Sequence, residues 1–338
     1  MNTSIESWDN LVAWFRSLGG VLENITIRSE NGYRSLVSID RQRDSRIHVP
    51  NFMLIDADDV RVENGQLKLA PETRASAEAR AFFEAYHRFT SWSDGGRSSV
   101  EEFFTGLQAL PTQAKTLLST GLDLGHWFEP ISDAFLMRHF LDARRFTYEG
   151  RQVLAPLMEF TNHDGNGTRL SAGTDGLTLN GRFAGEIAWR YRTADTFQIF
   201  RMYRFPSIER FAFSLPFDVS DKRLGLKIHV GIDTNARQST PAPIPLPVMT
   251  RTSGKIDLSF IVLADRNDPR LPFKYFKETL GQHLGRGTLE FFEGLLFYNR
   301  QRFFELMSTV EGSDGPAAQT IRKVCRLQIE SLNMVSLQ

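Results

Sequence analysis

The sequence predicts an α+β fold, in which a β-rich domain is split by a helical insertion and followed by a mainly helical C-terminal domain. β-Branched residues are frequent before position 70, and apolar residues then repeat with a helical period over 71–146. Strand character returns over 151–157 and 185–191, so strands resume after the helices. The helices therefore interrupt one sheet region, and helical spacing dominates the chain again over 271–334.

The chain begins with a short amphipathic helix and a group of strands. Apolar side chains over 7–18 fall on one face of a helix, and Gly19-Gly20 is typical of a helix stop. The β-branched residues that follow, with Asn31-Gly32 as a turn, indicate a sheet region. Its predicted strands are 21–27, 35–39 and 47–54.

The C-terminal part combines a small β region with long helices. Apolar and polar residues alternate over 211–217 and 224–230, which predicts two strands. Four prolines within 240–247 predict a semi-rigid loop. Beyond it, the helical spacing is interrupted at 312–316, which is typical of a helix–helix connection.

The domain bounds follow from these patterns. A length of 338 residues is typical of about two domains. The first is predicted over 1–206, with the helical insertion at about 71–146. The second is predicted over 207–338 and is mainly helical after residue 268.

Composition excludes several classes of function. Lys plus Arg and Asp plus Glu number 40 each, so no net charge attracts nucleic acid. The single cysteine, Cys325, excludes an internal disulfide and a cysteine-based zinc cluster. No zinc or phosphate-loop motif is present, so we expect neither a metal nor nucleotide-triphosphate chemistry. The charge balance predicts that there is no nucleic-acid partner. No apolar run is long enough to cross a membrane and no secretory signal is visible, so we expect a cytoplasmic protein without membrane association.

Two stretches contain the candidate site. One is Leu-Ala-Pro-Leu-Met-Glu-Phe-Thr-Asn-His at 154–163; the other is Gly-Glu-Ile-Ala-Trp-Arg-Tyr at 185–191, followed by Tyr-Arg-Phe at 203–205. An Asn amide both donates and accepts hydrogen bonds, and a His main chain offers one donor and one acceptor, which suits a neutral heterocycle with a polar end. Taken alone, the residues from Asn162 to Gly165 are also typical of an ordinary turn.

Together these stretches resemble the active-site core of SET-domain methyltransferases of the kind related to the Rubisco large-subunit methyltransferase. The resemblance extends from Trp8 to about Asn333 and is specific only over 134–205. It implies a split SET-type β-fold, S-adenosylmethionine as the cofactor, and a protein lysine as the first acceptor to test. It also implies that Asn162 and His163 hold the cofactor.

The same resemblance implies roles for further residues. Tyr191 matches a tyrosine whose hydroxyl orients the methyl transfer, and Tyr203 matches one that lines the acceptor channel. Arg144 matches an arginine that can pair with the cofactor carboxylate, and Arg138 would also serve. Glu159 stands where the family usually has Asp, and it joins the predicted cofactor-binding residues.

Three further positions depart from the family pattern. Gly32 matches the first glycine of a Gly-x-Gly that lets the backbone approach the cofactor, but the second glycine is absent. Arg192 and Arg204 replace the glycines that follow the two tyrosines. Two arginines beside a channel favour a carboxylate- or phosphate-bearing acceptor, unless they point to solvent. Two alternatives to a protein lysine methyltransferase therefore stay open: an enzyme that methylates a small molecule or peptide, and a decayed SET scaffold that acts as a binding protein.

Overall fold

The computed structural model consists of two compact units. The first contains residues up to 105 together with 129–191, and the second contains 106–128 together with residues from 192 onward. Each unit combines helices with sheets, as predicted for an α+β chain. The residues that the structure describes are 7–30, 33–89, 91–221 and 226–337.

Helices and strands alternate irregularly along the described residues. The helices are α1 (Trp8–Ser17), α2 (Ala77–Phe89), α3 (Arg97–Gln108), α4 (Thr112–Thr116), α5 (Asp133–Asp142), α6 (Thr196–Tyr203), α7 (Leu271–Leu284), α8 (Thr288–Thr309) and α9 (Pro316–Asn333). The strands are β1 (Val21–Glu23), β2 (Ile25–Glu30), β3 (Tyr33–Ser38), β4 (Ser45–Pro50), β5 (Ile55–Asp56), β6 (Val60–Glu63), β7 (Gln66–Leu69), β8 (Arg145–Tyr148), β9 (Arg151–Leu154), β10 (Asn162–Thr168), β11 (Ser171–Gly173), β12 (Gly176–Gly181), β13 (Ala188–Trp189), β14 (Phe211–Phe213), β15 (Phe217–Asp221), β16 (Leu226–Val230), β17 (Met249–Thr252), β18 (Lys255–Leu258) and β19 (Val262–Asp265).

The first unit is built around a four-stranded antiparallel sheet in the order β1-β4-β12-β11. Ile47 of β4 lies opposite Leu22 of β1 on one side and Leu179 of β12 on the other, and all three side chains are buried. Strands from before and after the helical stretch therefore share one sheet, and the pairing of β5 with β9 repeats this connection. Smaller ladders join β2 with β3, β6 with β7, and β10 with β13.

Helix α1 packs on the core of this unit. Ser7 caps its N-terminus by accepting a hydrogen bond from the Asn10 backbone N–H. Phe15 is fully buried, and its ring centroid lies 6.0 Å from that of Phe82 in α2. The helix is followed by Gly19, whose φ of +81° is a conformation that glycine adopts easily. The glycine stop predicted from the sequence is confirmed.

The second unit contains a mixed sheet and the C-terminal helices. Its sheet has the order β15-β16-β18-β17, and the parallel pairing of β16 with β18 places Ile228 beside Ile256. The rings of Phe276 in α7 and Phe292 in α8 lie 4.9 Å apart, and α9 packs against α8. The proline-rich segment 240–247 is a loop, as predicted.

The division between the units differs from the predicted domain bounds. Residues 192–206 belong to the second unit, because α6 packs on the C-terminal helices and the rings of Phe197 and Phe303 lie 5.6 Å apart. Residues 106–128 of the predicted insertion also belong to the second unit, where α4 contacts α8. The helical stretch is therefore shared between the two units, although its helical character agrees with the sequence pattern.

Two buried titratable groups lie in different units. His87 on α2 is 2% exposed, and burial lowers its pKa from 6.5 to about 4 against the opposing attraction of Glu159. Asp195 caps the N-terminus of α6, and burial raises its pKa from 3.8 to about 6, although the Phe213 backbone N–H and the Gln328 amide both donate hydrogen bonds to it. Folding therefore shifts the proton affinities of these two groups in opposite directions.

Acidification should weaken the first unit and strengthen the second. The contribution of neutral His87 to stability is present above pH 6.5 and is lost as the pH falls through about 4. The contribution of Asp195 is present below pH 3.8 and is lost as the pH rises through about 6. Each amounts to about 3 kcal/mol. Urea unfolding at several pH values in this range measures the free energy of unfolding and so both contributions. His87→Leu should remove the contribution of His87, and Asp195→Asn should remove that of Asp195. A variant whose free energy of unfolding depends on pH as that of the wild type does would contradict the assignment.

Candidate functional site

The two motifs of the candidate site lie side by side because the segment 185–187 runs between β3 and β10. On one side, the Ile187 backbone N–H donates to the Leu36 carbonyl at 2.8 Å. On the other side, the Ile187 carbonyl accepts from the Asn162 backbone N–H at 2.8 Å. Hydrogen bonds of this kind place the Asn-His pair next to the Gly-Glu motif, although the two are well separated in sequence.

Glu186 connects several elements through its carboxylate. Its Oε2 accepts a hydrogen bond from the Asn162 side-chain amide at 2.7 Å. Its Oε1 accepts from the Ser35 hydroxyl at 3.3 Å and pairs with the Arg28 guanidinium. The NH₂ group of the Asn162 amide is thus bonded within the protein, while its Oδ1 has no donor among the described residues.

Tyr191 lies against the rings of His163 and Trp189. Its backbone N–H donates to His163 Nδ1 at 3.2 Å, which assigns the ring proton of a neutral imidazole to Nε2. Its ring centroid lies 4.9 Å from that of His163 and 4.8 Å from that of Trp189. Its hydroxyl donates to the Thr161 carbonyl at 2.5 Å. Both the ring and the hydroxyl of Tyr191 are therefore held in place.

Thr161 connects this tyrosine to the interior of the unit. Its own hydroxyl accepts from Trp189 Nε1 at 2.8 Å and donates to the Met158 carbonyl at 2.6 Å. Thr161 is 3% exposed, so these bonds satisfy a polar side chain that water does not reach. The motif at 154–163 therefore contributes a supporting hydroxyl in addition to the Asn-His pair.

A tight bulge follows the Asn-His pair. His163 and Thr168 both lie opposite Trp189 in the ladder of β10 with β13, so the residues between them bulge out. A Cβ on Gly167 would lie 2.8 Å from Trp189 Cα, which explains why this position needs glycine. Asn162 and His163 are themselves strand residues, so they do not form the turn that the sequence also allowed.

Arg144 and Glu159 form a largely buried ion pair. Arg144 Nε lies 3.5 Å from Glu159 Oε2, and the two side chains are 27% and 4% exposed. Glu159 also accepts a hydrogen bond from the Tyr86 hydroxyl at 2.7 Å, while the guanidinium lies 3.9 Å from the centroid of the Phe140 ring. Burial, and after it the charge of Glu159, raise the pKa of Tyr86 well above its ordinary value. The phenol therefore remains a donor to the carboxylate.

The contacts of Arg144 and Arg138 differ. Arg138 pairs with Glu129 at 2.7 Å, and both side chains are about half exposed. Arg144 Nε and Nη1 contact Glu159 and the Phe140 carbonyl, whereas its Nη2 has no partner among the described residues. These contacts favour Arg144 over Arg138 as a carboxylate-binding residue, and the cofactor-binding roles of Arg144 and Glu159 stay predictions.

The other predicted site residues lie elsewhere. Gly32 falls outside the described residues. Tyr203 ends α6 in the second unit, and Arg204 follows it in the left-handed conformation (φ +64°) that favours glycine. Arg192, also in the second unit, donates to the Thr234 hydroxyl at 3.3 Å. The role of these three residues in an acceptor channel stays a prediction.

Three residues of the site were not assigned from the sequence. Glu186 had a usable signal, because it stands beside the glycine of the Gly-Glu motif. Thr161 and Tyr86 had none, since a threonine in an apolar segment and a tyrosine on an amphipathic helix are ordinary core residues. Their partners lie far away in the sequence, and only the folded chain identifies them.

Comparison with solved structures shows a likeness to a protein of known fold. This chain is similar to the SET domain of LSMT bound to lysine and AdoHcy. The TM-score is 0.46 at 14% sequence identity, and the match covers 97% of this chain and 89% of that one. No family model matches the sequence, and no curated protein matches it.

The described part of the chain contains no helix that is long and apolar enough to cross a membrane. In the same residues, no three side chains of His, Cys, Asp or Glu come together as metal ligands would. The cytoplasmic location and the absence of a metal stay predictions.

Proposed function

We propose that this protein is an S-adenosylmethionine-dependent N-methyltransferase, with a protein lysine as the first acceptor to test. The observation that carries the proposal is the direct contact between the two motifs: Tyr191 donates to His163 through its backbone and to Thr161 through its hydroxyl. The residues that resemble the cofactor-binding pair and the orienting tyrosine of SET-domain methyltransferases therefore lie together in one compact unit.

The polar groups of this site fit the proposed cofactor. S-Adenosylmethionine has a carboxylate and an ammonium at one end and an adenine at the other. Asn162 Oδ1 can accept from an N–H group of such a ligand, and Arg144 Nη2 can donate to its carboxylate. When bound, the cofactor supplies an activated methyl group on a sulfonium sulfur.

Tyr191 would orient the transfer through its hydroxyl oxygen. In-line displacement requires that the donor, the methyl group and the acceptor are aligned. The Thr161 carbonyl accepts the hydroxyl hydrogen, so the oxygen lone pairs point away from that carbonyl. Polarised C–H groups favour such an oxygen, and the contacts of the ring with His163 and Trp189 hold it in place.

A lysine acceptor must lose a proton before it can attack. From an ordinary pKa of about 10.4, deprotonation costs about 4.6 kcal/mol at pH 7. Desolvation lowers the pKa of a lysine and reduces this cost. Trp189, Phe160 and Tyr191 contribute to the apolar cluster of this unit. An acceptor channel beside them would favour the neutral amine.

A small anionic acceptor is the second candidate. The Arg192 guanidinium contacts the Met202 sulfur and the Thr234 hydroxyl, so among the described residues no carboxylate pairs with it. Such a guanidinium suits a carboxylate or a phosphate. A screen that contains lysine peptides beside small carboxylates and phosphates separates the two functions.

The first prediction concerns binding of the cofactor. Titration calorimetry should show that the protein binds S-adenosylmethionine and S-adenosylhomocysteine, and Asn162→Ala should weaken binding about tenfold or more, since it removes a hydrogen-bonding group from the site. Asn180→Ala, which truncates an exposed asparagine on β12, is the matched control and should bind like the wild type.

Two results would contradict this prediction, and they have different meanings. A wild-type protein that binds neither ligand would favour the decayed scaffold over both enzymatic functions. A wild-type protein that binds both, with Asn162→Ala unchanged, would exclude Asn162 from the site.

A further inference from the structure

We propose that Glu186 is a positioning residue: it holds the Asn162 amide in the orientation that leaves the amide oxygen, and not the NH₂ group, available to the cofactor. This role rests on the proposed function, because Asn162 is taken to bind the cofactor. Glu186 is then necessary for tight binding of the cofactor, although it acts through Asn162.

The shape of a primary amide does not determine its orientation. Rotation by about 180° exchanges the oxygen and the NH₂ group at little steric cost, so hydrogen-bond partners decide which group points where. A carboxylate only accepts, and its distance of 2.7 Å from Asn162 Nδ2 is typical of a charge-assisted hydrogen bond. The reversed amide would place two acceptors against each other. Asn162 Oδ1 therefore faces away from Glu186 and accepts from a donor on the ligand.

Glu186 can orient Asn162 because Glu186 is itself held. Its backbone forms a bridge with Val37 of β3. Its second carboxylate oxygen accepts from the Ser35 hydroxyl on β3 and pairs with the guanidinium of Arg28 on β2. Two strands thus determine where the carboxylate lies, and the positive charge of Arg28 opposes its negative charge.

Removal of the carboxylate should weaken binding without changing the chemical step. We expect Glu186→Ala to raise the dissociation constant for S-adenosylhomocysteine about tenfold and to leave kcat at saturating cofactor unchanged. Glu186→Gln keeps an acceptor for the amide and should fall between the wild type and Glu186→Ala. Glu129→Ala removes the carboxylate of the exposed pair with Arg138 in the same unit, and this matched control should bind normally.

A double-mutant cycle shows whether Glu186 acts through Asn162. In the Asn162→Ala background, Glu186→Ala should cause no further loss of S-adenosylhomocysteine binding, because the group that it orients is already gone. Losses that add would overturn the positioning role, since Glu186 would then affect the ligand independently of Asn162.

The orientation of the amide can also be measured without any ligand. With nitrogen-15 asparagine labelling, the Asn162 NH₂ protons of the wild type should exchange with solvent more slowly than those of Asn180, and Glu186→Ala should remove the difference. Equal exchange in wild type and Glu186→Ala would overturn the role of Glu186. Slow exchange in a wild-type protein that binds no S-adenosylhomocysteine would instead overturn the proposed function, and with it the part of this role that concerns the cofactor.

Discussion

Replacement of Tyr191 by Phe should leave S-adenosylmethionine binding nearly unchanged and slow methyl transfer by about 10²- to 10³-fold, as expected when one preorganised polar group is removed from an active site. The ring contacts with His163 and Trp189 remain in this variant, so the loss is confined to the hydroxyl. Transfer of a tritiated methyl group to a lysine-peptide library measures turnover, and calorimetry measures binding.

Tyr148→Phe is the matched control for this experiment. Tyr148 is 2% exposed, and its hydroxyl donates to the Gly173 carbonyl at 2.8 Å, as the Tyr191 hydroxyl donates to Thr161. Both variants should lose about 1 kcal/mol of stability with that hydrogen bond, but only Tyr191→Phe should lose turnover. Normal turnover in Tyr191→Phe would exclude its hydroxyl from the transfer.

Arg144→Met should lower the free energy of unfolding by about 2–4 kcal/mol, because it leaves the Glu159 carboxylate buried beside Tyr86 without its cation. This loss of stability is smaller than that expected for a fully buried pair, because Arg144 is partly exposed to solvent. Urea unfolding measures the loss. Adding Glu159→Gln removes the uncompensated charge and should restore much of the stability.

Arg138→Met provides the comparison. The pair of Arg138 with Glu129 is about half exposed, so its removal should cost about 0–1 kcal/mol. If Arg144→Met were no more harmful than Arg138→Met, the buried pair would not stabilise this unit. Arg144→Lys keeps the charge but loses the planar fork, so a folded Arg144→Lys protein with weakened cofactor binding would support the predicted contact with the cofactor carboxylate.

Local patterns predicted the elements whose apolar residues repeat at short range. The helix that precedes Gly19, the first strands, the loop at 240–247 and the C-terminal helices all lie close to their predicted positions. Each depends on residues within a few positions of one another, because helical and strand periods are properties of adjacent residues. Domain bounds depend instead on packing between distant elements, such as α6 on the C-terminal helices, and there the prediction and the structure differ.

The candidate site shows the same distinction at the level of single residues. The motif pattern indicated Asn162, His163 and Tyr191, because their types and spacing resemble a known family. It did not indicate that Glu186 binds the Asn162 amide or that Thr161 accepts from Tyr191, since these contacts join residues that no spacing rule relates.

By itself, the sequence determined the amphipathic helices and the first strands, and which residue types could bind a cofactor and orient a transfer. Only the tertiary structure decided how the Asn162 amide is oriented, that Arg144 rather than Arg138 lies against a buried carboxylate, and that the two motifs touch. The physical reason is that periodicity and residue chemistry are local, whereas hydrogen-bond and ion-pair partners are chosen among all residues that folding brings within about 3 Å.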